Sequence, residues 1–170
     1  LPTPYLLFYA FVAVIGSITG IVAAAKIALL TSTFLFTFGA TFLCEATGRH
    51  PRLGLIAPLA LFGVSLGWGF ASFLFAMPLM LFVFAFNERV LADPSRRNLV
   101  LLALFILLTY LGHAMIFAVT MIIVAIRSIR RPKPLAIASL PTIIVALRIL
   151  IRTLTTPWRE EGAAAPKETK

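Results

Sequence analysis

Acidic side chains are scarce in this chain, and none lies inside an apolar stretch. Six are present among 170 residues: Glu45, Glu88, Asp93, Glu160, Glu161 and Glu168. Ionisable groups within a bilayer are typical of proton relays and ion pathways, so their absence from the apolar stretches argues against a pump or a proton-coupled carrier. The only close pair, Glu160 and Glu161, lies in the polar C-terminal tail and does not form the converging pair of an acid–base active site.

Cysteine is nearly absent as well. The single Cys44 excludes an internal disulfide and a metal cluster built from cysteines. The sequence has no glycine-rich loop of the phosphate-binding type and no zinc-ligand spacing. No arrangement of serine, cysteine and histidine indicates a catalytic nucleophile. The sequence therefore offers no recognisable catalytic set.

Apolar residues dominate the rest, at 61% of the chain with a mean hydropathy of +1.02. Membrane β-strands alternate in polarity over ~10 residues, whereas residues 99–106 are continuously apolar. The sequence predicts an all-α integral membrane protein, a polytopic bundle of about six or seven transmembrane or re-entrant helices. We assign residues 1–156 to a single transmembrane domain and residues 157–170 to a polar, disordered tail.

The first two apolar stretches are each too long for one span. We predict helices at residues 5–25 and 27–44, joined by a turn between Gly20 and Lys26, because one long helix would hold Lys26 at mid-depth. Residues 53–86 would extend about 51 Å as one helix, so we predict two helices that break at residues 67–69, Gly-Trp-Gly.

Residues 98–126 have two possible interpretations. A single helix of about 43 Å would tilt strongly, whereas a hairpin breaking at residues 111–113 has two short arms. The charge pattern favours the hairpin, because only the hairpin returns all three basic clusters to one side. A last helix is predicted at residues 134–156, with a kink at Pro141 and with Arg148 and Arg152 on one face.

Basic residues concentrate in three clusters, at residues 47–52, 87–97 and 127–133, and the net charge is +9. Lys and Arg in short loops set topology by remaining on the cytoplasmic side, so we predict a bacterial inner-membrane protein whose basic loops are cytoplasmic. This interpretation accounts for the charge without a nucleic-acid partner, and contact with anionic lipid headgroups is compatible with it. The predicted interface residues are Arg49, Arg52, Arg96, Arg97, Arg127, Arg130, Arg131 and Lys133.

His113 is the candidate cofactor-binding residue. Its small neighbours Gly112 and Ala114 would let a ring or a second helix approach, as an axial ligand of haem or chlorophyll requires. It could also donate a hydrogen bond to a lipid-linked substrate, but the pattern favours a histidine at a helix break bonded to a nearby carbonyl. The candidate helix-packing residues form two Gly-x-x-x-Gly spacings: Gly16, Gly20, Gly63 and Gly67.

The order of several short motifs resembles a known family. These motifs are Leu-Pro-x-Pro-Tyr at residues 1–5, Gly-Arg-x-Pro-Arg at 48–52, Gly-Trp-Gly-Phe-x-x-Phe-Leu at 67–74 and Tyr-Leu-Gly-His at 110–113. The pattern is similar to that of bacterial polytopic membrane proteins related to the GT-C glycosyltransferases, which use polyprenyl-phosphate sugars. The resemblance implies a catalytic acidic residue in the first outward-facing loop, but neither Lys26 nor the turn at 67–69 supplies one, so no catalytic residue is carried over.

The sequence thus favours a non-catalytic membrane subunit with a structural or accessory role in a larger complex. Its partners would be other membrane subunits and lipids, and its fifteen Phe offer surfaces for lipid, quinone, carotenoid or chlorophyll and haem. One alternative is the truncated membrane portion of a GT-C-like transferase, with the acidic loop upstream of Leu1. A second alternative is a pigment- or haem-binding subunit that uses His113.

Overall fold

A computed structural model describes residues 5–60 and 71–155, and within them it contains seven helices and no strand. The all-α helical bundle predicted from the sequence is confirmed for these residues. In chain order the helices are α1 (Leu6–Thr19), α2 (Ile21–Ala46), a 3₁₀ helix (Pro51–Ala60), α3 (Ala71–Ala92), α4 (Arg96–Gly112), α5 (Ala114–Arg127) and α6 (Pro132–Thr155).

Three of these helices, α2, α3 and α6, are long and apolar enough to cross a membrane. Their 26, 22 and 24 residues correspond to about 39, 33 and 36 Å, against a hydrocarbon core of ~30 Å. Helices α1 and α5 have 14 residues each, which is about 21 Å. The chain is therefore a membrane protein in which full-length spans pack beside shorter apolar helices.

The break between α1 and α2 lies at Gly20, whose φ of 83° favours glycine. The break therefore lies at the first residue of the predicted turn region, and the correction concerns Lys26, which lies inside α2 because this helix begins at Ile21 and not at residue 27. The two helices fold back on each other, since a Cβ added to Gly16 would lie 3.6 Å from the Ala24 Cβ. Lys26 is exposed and lies about 30 Å along α2 from Ala46, which equals the thickness of the hydrocarbon core.

Residues 51–60 form a 3₁₀ helix instead of the predicted α-helical arm. Pro58 has no N–H to donate, and in an α-helix its ring would clash with the carbonyl of Gly54. The 3₁₀ helix packs back along α2, where a Cβ on Gly54 would overlap the backbone nitrogen and Cα of Thr41. The predicted break at residues 67–69 lies outside the described residues, and α3 then continues for 22 residues.

Helix α3 forms the centre of the bundle, with α2 on one side and α4 on another. The Phe86 ring stacks on Phe105 of α4 at 5.3 Å between centroids, and Phe42 of α2 lies 5.1 Å from Phe86. Aromatic pairs of this kind contribute about 0.5–1.5 kcal/mol beyond their buried area. Because Phe36 packs near Leu74 and Phe42 near Phe86, α2 and α3 run in the same direction.

The block at residues 98–126 forms a hairpin, as the charge pattern predicted. Helix α4 ends at Gly112 and α5 begins at Ala114. Gly112 lies against Ala76 near the start of α3, whereas Arg127 lies against Glu88 near its end, so the chain reverses between α4 and α5. The single tilted helix is therefore wrong.

The starts of α4 and α6 follow from the residues found there. Ser95 begins α4 as its N-cap, with its hydroxyl accepting a hydrogen bond from the Asn98 backbone N–H at 3.4 Å. The last helix begins at Pro132, two residues earlier than predicted, where a proline is tolerated because the first helical N–H has no acceptor. Pro141 lies inside this helix, as the sequence indicated.

Candidate functional site

Three helix ends meet at one end of the bundle, and the basic connectors follow them. The Glu45 carboxylate at the end of α2 lies 3.8 Å from the Arg89 guanidinium of α3. Arg127 at the end of α5 contacts Glu88 of α3. The connectors at residues 47–50, 93–95 and 128–131 therefore lie together, and we call this region the basic end.

The pairing of Arg127 with Glu88 is a polar contact between the ends of α5 and α3. Arg127 donates from Nε to Oε1 at 2.6 Å and from Nη2 to Oε2 at 3.0 Å, a two-point contact that fixes orientation as well as distance. The Arg89 guanidinium lies 4.0 Å from the centroid of the Phe42 ring, which adds a cation–π contact between α2 and α3. Both described glutamates thus hold helices together at the basic end.

A second set of hydrogen bonds ties the connector after α5 to α3. The buried Ser128 hydroxyl donates to Asn87 Oδ1 at 3.0 Å, and Arg131 donates from Nη1 to the Leu91 carbonyl at 2.9 Å. These residues belong to two of the basic clusters, but the sequence does not predict their pairing. Opposite charges on two different connectors were the available signal, but the sequence did not indicate which residues face each other.

The structure brings the predicted interface cations together at the basic end. Two of the eight, Arg127 and Arg131, are engaged as described above. The other six are exposed to the surroundings of the bundle: Arg49, Arg52, Arg96, Arg97, Arg130 and Lys133. The acidic residues within the described part of the chain, Glu45, Glu88 and Asp93, lie at this same end, so positive charge exceeds negative charge there.

His113 lies at the opposite end of the α4–α5 hairpin, as its single connecting residue. Its backbone N–H donates to the Thr109 carbonyl at 3.0 Å, and its own carbonyl accepts from the Phe117 N–H at 2.9 Å. Its φ of −166° and ψ of 120° are extended, so the helical path stops for one residue. The absence of a side chain at Gly112 lets the end of α4 lie close to α3, because a Cβ there would lie 3.2 Å from the Ala76 Cβ.

Two aromatic rings enclose the imidazole of His113. Tyr5 lies 4.9 Å away and Phe73 lies 5.4 Å away between centroids, both in edge-to-face geometry. The Nδ1 atom is buried and has no hydrogen-bond partner among the described residues. Of the three sequence interpretations, the position at a helix break matches the structure, but Nδ1 makes no bond to a described carbonyl.

Among the described residues, no group accepts a hydrogen bond from His113 Nδ1 and so fixes the tautomer of the ring. The other histidine, His50, lies at the basic end, where its Nδ1 accepts from the Arg52 N–H at 3.2 Å. The two histidines therefore lie at opposite ends of the bundle and do not form a pair of ligands.

The candidate packing glycines have different positions. Gly16 faces Ala24 across the α1–α2 turn at ordinary van der Waals distance. Gly20 forms the turn itself, and a Cβ there would have nothing within 4 Å, so it contacts no neighbouring helix. Gly63 and Gly67 lie outside the described residues.

Comparisons of the chain with protein-family models, curated proteins and solved structures find no match. The resemblance to the GT-C family therefore stays a hypothesis based on residue pattern. Of its motifs, residues 110–113 form the last turn of α4 and the apex, and residues 48–52 lead into the 3₁₀ helix. The part of the third motif at residues 67–70 lies outside the described residues.

Proposed function

We propose that this protein is a non-catalytic integral membrane subunit with a structural or accessory role in a larger membrane complex. It lies in a bacterial inner membrane with the basic end toward the cytoplasm. The orientation is supported by the position of all three connectors at one end, since Lys and Arg in short loops remain cytoplasmic.

The observation that carries the proposal is the length of the α4–α5 hairpin. Its arms have 17 and 14 residues, or about 25 and 21 Å, whereas the hydrocarbon core is ~30 Å thick. The apex at His113 therefore lies inside the core when the basic end is at the interface. Irregular backbone at that depth is stable only where protein or an aqueous cavity surrounds it.

Within the described residues, this apex has neighbours on one side: Tyr5, directly before α1, and Phe73 and Ala76 of α3. The outer face of α5 is apolar and open, with Met115 63% and Ile122 61% exposed. Lipid solvates such side chains, but it offers no hydrogen bonds to the backbone at a helix break, so a neighbouring subunit is the better cover.

The open face of α5 has the geometry of a helix-docking stripe. Met115, Val119, Ile122 and Ile126 are all exposed and follow one another at spacings of four, three and four residues. This spacing keeps side chains on one face of a helix and matches the seam of left-handed helix pairs. Exposed residues of α6, such as Leu140, Ile144 and Leu147, have similar spacing, so the break at His113, and not the spacing alone, favours a partner helix along α5.

Photo-crosslinking in native membranes tests this proposal. A benzophenone amino acid at Met115 or Ile122 is expected to form an adduct with the same polypeptide, because both positions face the partner. The matched control is Ile144 on α6, an isoleucine of almost equal exposure at 63% against 61%, and it is expected to label lipid only. Lipid adducts alone at all three positions, with a monodisperse monomer in mild detergent, would contradict the proposal.

A further inference from the structure

An apolar groove runs between the α4–α5 hairpin and α6. Its volume is about 570 Å³, within the ~300–1,000 Å³ of small-ligand sites. Ile106, Phe117 and Met121 form one wall, and Leu135 and Leu150 belong to the other. Part of the second wall is exposed, Leu150 by 53%, so the groove is open along its side to the lipid phase.

The groove follows α6 from Pro132 to Leu150, about 27 Å at 1.5 Å per residue. Its lining is almost entirely aliphatic and aromatic, and its side remains open to the lipid phase. A long apolar groove of this kind suits a hydrocarbon chain, because each buried CH₂ group contributes about 0.8 kcal/mol.

Two exposed cations are close in sequence to the end of the groove that lies at the basic end. Pro132 lines that end, and the exposed Arg130 and Lys133 are its near neighbours in the chain. Neither forms an ion pair with a described acidic residue, whereas the nearby Arg127 is paired with Glu88. An anion at this position would be attracted from the headgroup region.

We propose that this groove binds one acyl chain of an anionic glycerophospholipid, with the phosphate between Arg130 and Lys133. The hydrocarbon chain follows α6 from Leu135 toward Leu150, and the charged headgroup remains at the basic end. The cations attract the headgroup and the groove binds the acyl chain. Separate substitutions can therefore remove the charge or block the groove.

The first experiment removes the charge. Native mass spectrometry of the full-length purified protein is titrated with dioleoylphosphatidylglycerol and with dioleoylphosphatidylcholine. Each Lys or Arg near an anionic headgroup strengthens binding by about fivefold, so the R130Q/K133Q double variant is expected to bind phosphatidylglycerol about thirtyfold more weakly. The matched control, R49Q/R52Q, removes the same charge from another connector at the same end and is expected to change binding less than threefold.

The second experiment fills the groove and leaves the charge intact. Ala146 lines the groove, and Ala146→Phe is expected to abolish binding of phosphatidylglycerol. The same substitution at Ala25, an exposed residue of α2, which does not line the groove, is expected to have no effect on binding. Circular dichroism and gel filtration of each variant distinguish lost binding from lost folding, and spin-labelled phosphatidylglycerol provides a second measure through its immobilised fraction.

Three outcomes would overturn the proposal. Equal affinity for the two lipids would indicate a groove that does not recognise the headgroup. Equal losses in R130Q/K133Q and R49Q/R52Q would indicate diffuse attraction to the whole basic end. Unchanged binding in a folded Ala146→Phe variant would indicate adsorption outside the groove, whether the occupant of the groove is another lipid or a polypeptide.

Discussion

Gly54 brings the 3₁₀ helix against α2 with no room for a side chain, which gives a prediction at the scale of one residue. Gly54→Ala forces its Cβ against the Thr41 backbone, and overpacking of this kind destabilises by about 1–3 kcal/mol. Gly16→Ala is the matched control, since its Cβ would lie 3.6 Å from Ala24. Alanine is favoured over glycine inside a helix by about 0.5–1 kcal/mol, so this control is expected to be as stable as the native chain or more so.

Thermal unfolding in detergent, followed by circular dichroism, measures both changes. A clear drop in Tm for Gly54→Ala together with an unchanged or higher Tm for Gly16→Ala is the expected result. Similar Tm values for the two variants would show that the 3₁₀ helix is not held against α2 as closely as described.

The comparison of these two glycines also shows what the sequence can indicate at this scale. The Gly-x-x-x-Gly spacing identified Gly16, which makes ordinary contacts, and it did not identify Gly54, which makes the closest approach. Gly54 lies between Pro51 and Pro58, in a segment without helical periodicity. The contact depends on how the chain turns back after α2, and no local pattern encodes that turn.

At the scale of helices, the link between α3 and the connector after α5 gives a second prediction. Ser128 and Asn87 are 1% and 2% exposed, and their side chains form a hydrogen bond between these segments. Ser128→Ala leaves the Asn87 amide oxygen without its donor, which costs about 1–3 kcal/mol. Ser17→Ala is the control, because Ser17 is exposed and bonds only to the Val14 carbonyl of its own helix.

Unfolding free energies measured by detergent titration compare these two serine variants. Ser128→Ala is expected to lower the free energy of unfolding by about 1–3 kcal/mol. Ser17→Ala is expected to leave it close to that of the native chain. Equal stability of the two would mean that the Ser128–Asn87 bond does not hold the connector to α3.

Charge asymmetry predicted the helical hairpin better than hydrophobicity did. The apolar run at residues 98–126 is continuous, so hydropathy alone is compatible with one long helix. Arg127 can lie beside Glu88 only if the chain reverses its direction between α4 and α5. The observed apex, His113, lies within the predicted break at residues 111–113, whereas Gly112 remains helical.

At the scale of the whole molecule, the sequence predicted which ends meet but not which helices are neighbours. The three basic clusters were expected on one side because Lys and Arg in short loops remain on the cytoplasmic side, and their connectors lie together at the basic end. The parallel packing of α2 on α3 depends on the path of residues 51–60. That path depends on Pro51, Pro58 and the buried Gly54. Neither the charge pattern nor the hydropathy of the sequence indicates it.

The shared end gives the last prediction, which cysteine accessibility in oriented membrane vesicles tests. In a Cys44→Ser background, single cysteines at His50, Ala92 and Ile129 sample the three connectors, and all three positions are exposed. Each is expected to react with a membrane-impermeant maleimide from the cytoplasmic side. Val22, 68% exposed near the α1–α2 turn, lies about 36 Å along α2 from Ala46 and is expected to react from the opposite side. Labelling of the Ile129 and His50 cysteines from opposite sides would contradict the fold, because Arg127 could not then contact Glu88.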